Sequence, residues 1–264
     1  MGVSLVLDNT GEIYVTGFFS GNILIDSVRL IAKGSEDVFL VKLSSLNGDL
    51  AWAQHIGGVL QDLPKKLLLG DSGLLYLLGQ FNEEIKIDQK TLTKSGFNNF
   101  VATIDKNNGN VLHSFVIDED NYLYAETFTL DKNENFVITG ISEGIESKGS
   151  KSLYNNLFIA KYDKSGKKHW QKKGYGDGMK SINSIYVDLN GDILLAGGYF
   201  HSLMFDNAII ESGTSNKDGF LLGLQNDGNL KWLKKYEGQG NNEMLFIFNN
   251  GKQTFAIGRL SSDI

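Results

Sequence analysis

The chain has 264 residues, 41% of them hydrophobic, a net charge of −6, a pI near 5.3, no cysteine, and only two arginines, Arg29 and Arg259. A nucleic-acid partner is excluded by this acidic balance, since such affinity comes from Lys and Arg neutralising phosphates, and two arginines leave almost no bidentate anion clamp. Disulfides and thiolate metal sites are excluded too, although the compartment stays open on that ground, and no run of 18 apolar residues spans a membrane as a helix.

From the N-terminus, Met1-Gly2-Val3-Ser4 lacks the basic start and apolar core of a signal peptide and enters regular structure almost at once, so Met1 reads as a fragment start. "SLVLD" predicts a first strand, and Asp8-Asn9-Thr10-Gly11 a turn. A second strand follows, ending in "GFF" after Gly17. A connection of about twenty residues, "FFSGNILIDSVRL", leads to a third strand, "DVFLVKL"; a turn at Asn47-Gly48 then leads to a fourth that carries Trp52.

The same order then returns. Gly17, Gly79, Gly140, Gly197 and Gly258 each close a second strand and follow one another by 62, 61, 57 and 61 residues. Phe39, Phe100, Phe158 and Phe220 hold one position on the third strand, and Trp52, His113, Trp170 and Trp232 one position on the fourth. A period near sixty with four strands per unit marks a repeat architecture. The strands are near-continuous apolar runs, which requires cover on both faces. There is no helical periodicity, and Pro64 is the single proline, so the cover must be neighbouring units, stacked radially as the blades of a β-propeller.

The motif order "YVTGFFSG…ILIDSVRLIAKGSEDVFLVKLSSLNGDLAWAQHIGG" resembles the SBBP-type β-propeller repeat of bacterial surface and secreted proteins, in four full copies and a partial fifth. The resemblance implies a propeller, commonly extracytoplasmic and part of a longer polypeptide. The "G-x-x-x-W" element also looks like the tryptophan-docking motif of quinoprotein propellers, whose repeats are shorter and lack the "I-x-x-D…L" connection. The expected class is therefore all-β, with antiparallel four-stranded blades at 1–58, 59–119, 120–177 and 178–240 and a half blade at 241–264. The half blade carries an unpaired edge, a ready site for self-association, and a piece of a larger ring is the expected context.

Several stretches mimic functional motifs. "GISEG" at 140–144 matches a nucleophile elbow in letters, but no helix follows it. "DNTGE", "DLNGD" and "DKNEN" look like pieces of calcium loops, yet they recur where a hairpin turn wants Asx and Gly for backbone reasons; the second unit has Gly70 at Asp8's position. "GYGDG" at 174–178 precedes a strand, so it reads as a linker and not as a phosphate loop. Asp118-Glu119-Asp120 reads as a solvated charge run. His55, His113, His169 and His201 lie in different units without ligand spacing. Trp52, Trp170 and Trp232 read as packing between blades in preference to sugar platforms.

No catalytic, cofactor-binding or metal residue is assigned, and no cofactor is expected. The recognition surface is expected on the variable connections, among Phe18, Phe19, Phe81, Tyr199 and Phe200 on one set and Tyr122, Tyr175 and Tyr236 on the other. The expected function is a non-catalytic binding or structural module, outside the cytoplasm or on the cell surface, that recognises a protein or glycan. The alternative is a lyase or glycoside hydrolase using a pair of channel carboxylates.

Overall fold

The computed structural model describes residues 1–117, 123–143, 155–213, 215–250 and 253–261. The expectations for Asp118-Glu119-Asp120 and Tyr122 lie outside them. Two compact units divide the chain, Met1–Ala125 and Glu126–Ile264, and every regular element among the described residues is a strand.

The first unit begins with β1 (Gly2–Leu7), β2 (Ile13–Phe19), a short hairpin of β3 (Asn22–Ile25) and β4 (Val28–Ile31), then β5 (Asp37–Leu43) and β6 (Leu50–Gly57). The antiparallel order is β1-β2-β5-β6. A second meander follows from β7 (Asp62–Leu69), β8 (Leu74–Ile87), β9 (Lys90–Asp105) and β10 (Val111–Val116). In the second unit β11 (Leu123–Leu130), which begins before the unit boundary, β12 (Phe136–Glu143), β13 (Asn155–Tyr162) and β14 (Lys168–Gly174) form one meander. The next is built from β15 (Lys180–Val187), β16 (Ile193–Tyr199), β19 (Asp218–Leu224) and β20 (Leu230–Tyr236), with the hairpin β17 (Ser202–Phe205) and β18 (Ala208–Glu211) inserted. A final hairpin pairs β21 (Glu243–Asn249) with β22 (Thr254–Arg259).

The anchor glycines have a steric cause. Gly17, Gly79 and Gly197 pair across the sheet with Phe39, Phe100 and Phe220, and each ring lies over its glycine. A Cβ on Gly197 would collide with the Ser181 carbonyl oxygen and sit 2.7 Å from the Phe220 ring. The first strand bulges opposite each of these three glycines, as it does opposite Gly258, and a bulge tightens the local twist.

One expectation is corrected. The long connection between strands two and three folds as a β-hairpin and not as a loop. In the second meander β8 and β9 simply run on into it, past an irregularity at Asn82/Glu83. Its tip is a two-residue turn whose first residue, Asp26, Asp88 or Asp206, has a φ of 51°, 54° or 49°, a conformation that Asp tolerates better than most side chains. Asp26 and Asp206 also accept hydrogen bonds from the N–H groups of Leu50 (2.6 Å) and Leu230 (3.3 Å), tying each tip to the start of the fourth strand. The "I-x-x-D" motif is thus a tether.

The same hairpins stitch neighbouring repeats. Ile56 and Gly57 at the end of β6 pair with Ile87 and Lys86 on β8. In the second unit Tyr175 and Met204 exchange both backbone hydrogen bonds, at 2.8 and 2.9 Å.

Cover on both faces holds for the inner strands β16 and β19 and for the stretches 75–81 of β8 and 98–104 of β9, which are buried almost throughout. It fails at β1, where Leu5 and Leu7 are exposed, and on β22, which is exposed along its length. One apolar cluster in each unit, around Tyr14, Leu40 and Phe100 in the first and Ile159, Leu195 and Phe220 in the second, forms the core.

Candidate functional site

The turns at the outer end of strands one and two spend their carboxylates on the backbone. Asp8 accepts from the N–H groups of Thr10 and Glu12, Asp131 from those of Asn133 and Asn135, and Asp188 from those of Asn190 and Asp192. These oxygens are committed to closing a turn, as the hairpin reading of the sequence expects.

The tryptophan position packs against the next repeat. Trp52 donates its indole N–H to the Lys106 carbonyl (3.1 Å) and lies against Gly109. Trp170 does the same to Asn226 (3.0 Å) and lies against Gly228. Trp232, partly exposed, makes no such bond among the described residues. A Cβ on Gly109 or Gly228 would meet the indole at 2.8 or 2.9 Å, so the turn glycine is needed for contact as well as for its positive φ.

Equivalent positions around these two tryptophans differ. In the first unit Tyr14 donates its hydroxyl to Asp8 (3.2 Å), and Lys106 reaches the same carboxylate at 2.9 Å. In the second unit Val137 and Asn226 stand at those two positions. Lys161 turns inward there, pairs with Asp131 at 2.7 Å and also donates to the Asn226 side chain. Burial works against the charge on Asp131, but hydrogen bonds from Lys161 and Asn135 and from the backbone hold its carboxyl below the usual range. Beside this joint lies an open cavity of about 590 Å³, bordered by Asp131, Lys161, Trp170, Asp192, Asn226 and Lys231. No motif marks it. The signal lies in where the repeats depart from one another.

A second polar cluster lies in the first unit, where the long connection enters β5 and β6 leads to β7. Asp37 and Asp62 are both 0% exposed. Asp37 accepts from the N–H groups of Lys33 and Gly34 and faces His55 Nε2 at 2.5 Å. Asp62 accepts from the Gly58 N–H at 2.6 Å, and its Oδ1 has no hydrogen-bond partner. Burial pushes the Asp62 carboxyl up to about 7; the Gly58 N–H opposes this, while the Asp37 charge adds to it.

Internal repeats explain the position. Asn242 is its counterpart in the second unit and donates toward Asp218, the counterpart of Asp37, at 3.4 Å. Lys180 is the other counterpart; its ammonium is held by the carbonyls of Gly176, Gly178 and Asp177, and burial draws it down to about 8.

The loop aromatics divide. Phe19, Phe81 and Tyr199 are buried, which removes them from the expected recognition surface: each lies two residues past an anchor glycine and fills the space between sheets. Phe18 and Phe200 are half-buried. Tyr175 and Tyr236 are exposed. Ser142 lies inside β12 and is buried, so it is not poised on a turn. Of the histidines, His55 meets Asp37, His113 lies beside Phe115, His169 borders the cavity, and His201 adopts a φ of 58° beside the β17 hairpin.

These features define a fold of antiparallel meanders with a repeated joint between them. No family model matches the chain, and no curated protein matches it. Among solved structures it is similar to the Dos1 propeller, with a TM-score of 0.50 and 11% identity over 93% of this chain. The likeness shows the fold, an all-β propeller. The chain spans 63% of the length of that propeller.

Proposed function

We propose that this chain is a non-catalytic binding module that engages a protein partner through its inserted hairpins, outside the cytoplasm as the SBBP-type resemblance suggests. The observation that carries this reading is the outward face of two hairpins. On β3–β4, Leu24 (65% exposed) and Ile31 (62%) flank Arg29, and on β17–β18 Met204 and Ile209 pair directly across the strands. Single exposed apolar residues are ordinary, but one register position, that of Leu24 and Met204, is apolar on both hairpins, while the inward Leu203 and Phe205 are fully buried. Apolar groups rimmed by polar ones favour a protein over a glycan.

Burial weighs against the enzyme alternative. Asp37 and Asp62, the acids brought together in the first unit, are shut away from any substrate, whereas glycoside cleavage needs accessible carboxyls.

The test is a photo-crosslinker placed at Leu24 or Ile209, compared with one at Leu46, an exposed leucine in a strand-connecting turn. A discrete protein adduct from the first two positions and none from the third is expected in extracellular material of the source cells. Equal labelling at all three would overturn the reading.

Association between copies through β21–β22 fits the same class. Phe246 (60% exposed), Phe248, Phe255 and Ile257 share its uncovered face, with Phe248 and Phe255 stacked at 5.0 Å. Light scattering on the chain and on a Phe246→Glu/Ile257→Glu variant tests this: loss of a larger species supports it, and a monomer in both cases refutes it.

A further inference from the structure

We propose that the cavity beside Trp170 is a second ligand site, separate from the hairpins, and that it takes a neutral carbohydrate. The chain contains its own control. The joint around Trp52 and the joint around Trp170 are built alike: an Asx turn headed by Asp8 or Asp131, a lysine on the third strand (Lys42 or Lys161), and an indole bonded to the next repeat's turn. In the first joint the Tyr14 ring and the Lys106 side chain occupy the space above the carboxylate. In the second joint Asn226 stands in place of Lys106, Lys161 covers the carboxylate instead, and a cavity of about 590 Å³, within the range of small-ligand sites, opens beside Asn226.

The chemistry of the lining selects the ligand. Its two lysines are spoken for: Lys161 pairs with Asp131, and Lys231 pairs with Asp192. An anion therefore finds no unpaired cation among these groups, and a cation would have to displace one of the lysines. Beside these pairs, unspent hydrogen-bonding capacity remains on side chains that can both donate and accept. The amide side chains of Asn133 and Gln225 and the ring of His169 border the cavity and make no side-chain hydrogen bond among the described residues. Each such group matches a hydroxyl, which also donates and accepts. Trp170 adds an apolar ring surface with its N–H already committed, suited to the C–H face of a sugar ring. A neutral polyhydroxylated ring satisfies all of these groups together.

The experiment uses the three indole N–H signals of the full chain. Maltose, cellobiose, mannobiose and chitobiose are titrated singly to about 10 mM, which fills a site of Kd about 1 mM; a digalacturonate and an acidic tetrapeptide are charged controls. The expected result is a saturable shift of the Trp170 signal with at least one neutral sugar while the Trp52 signal stays in place. Asn226→Lys copies the first joint at an exposed turn position and should weaken binding at least tenfold; Gln225→Ala, also exposed, should weaken it with no change in the Trp52 and Trp232 signals. No shift with any neutral sugar, parallel shifts of all three indoles, a response to the charged controls alone, or unchanged affinity in both variants would each overturn the proposal. None of these outcomes bears on the hairpin surface, which the crosslinking experiment reads independently.

Discussion

Replacing Asp62 by asparagine should stabilise the first unit at neutral and alkaline pH. The carboxyl holds its proton to about pH 7 in the fold but releases it near 3.8 in the unfolded chain. Between those values the folded state binds more protons than the unfolded one, so stability falls as pH rises and levels off above 7. Each pH unit in that window corresponds to about 1.4 kcal/mol, giving a loss of about 4 kcal/mol across it, of which about 3 kcal/mol falls between pH 5 and pH 8.

The amide introduced by Asp62→Asn carries no titrating proton and can donate toward Asp37 as Asn242 does toward Asp218. The surroundings, Asp37, Lys33 and His55, are common to both proteins, so the difference between the two melting curves isolates Asp62. Melting followed by circular dichroism at half-unit steps should show the parent losing ground to the variant by about 10 °C between pH 5 and pH 8, at about 3 °C per kcal/mol. A constant gap across the window, or a variant less stable than the parent at pH 8, would refute the assignment of the proton to this carboxyl.

Gly197→Ala should cost about 3 kcal/mol, because its Cβ meets both the Ser181 carbonyl and the Phe220 ring and neither can retreat from a packed sheet; urea unfolding gives the value, and a change under about 0.5 kcal/mol would show that the strand can shift. Trp170→Phe should cost at least about 1 kcal/mol through the lost bond to Asn226, while Trp232→Phe, which loses no such bond, should stay within about 0.5 kcal/mol; equal costs would mean that the ring matters and the N–H does not. Asp26→Ala should raise amide exchange at Leu50 at least tenfold by removing its acceptor, and unchanged protection would mean that the hairpin tip is held by something else.

The repeat, the anchor glycine and the phenylalanine opposite it were all legible in the sequence, because steric demands that recur in every unit leave the same letters at the same spacing. The tryptophan position was legible for the same reason: Trp52 and Trp170 meet the next repeat's turn, as packing between neighbouring repeats requires. The hairpin within the long connection left its trace in "I-x-x-D" but not its meaning, since Asp26 and Asp206 act on Leu50 and Leu230, 24 residues away. Neither polar site left a motif. The cavity borders Asn226, which stands where the first joint has Lys106, and such a difference is found by comparing deviations and not likenesses. The Asp37 and Asp62 pair reads as two ordinary surface acids until the fold buries both.

The position shared by Asp62, Lys180 and Asn242 carries one more consequence. Repeats of one pattern have settled on a protonated acid, a caged ammonium and an amide at the same seam. Units built to one plan are therefore not interchangeable: shuffling their order would set an ammonium where an acid is accommodated, or leave two carboxylates facing a carbonyl cage. The sequence of the modules is thereby written into their contacts, and a permuted chain would betray its wrong order by failing to assemble.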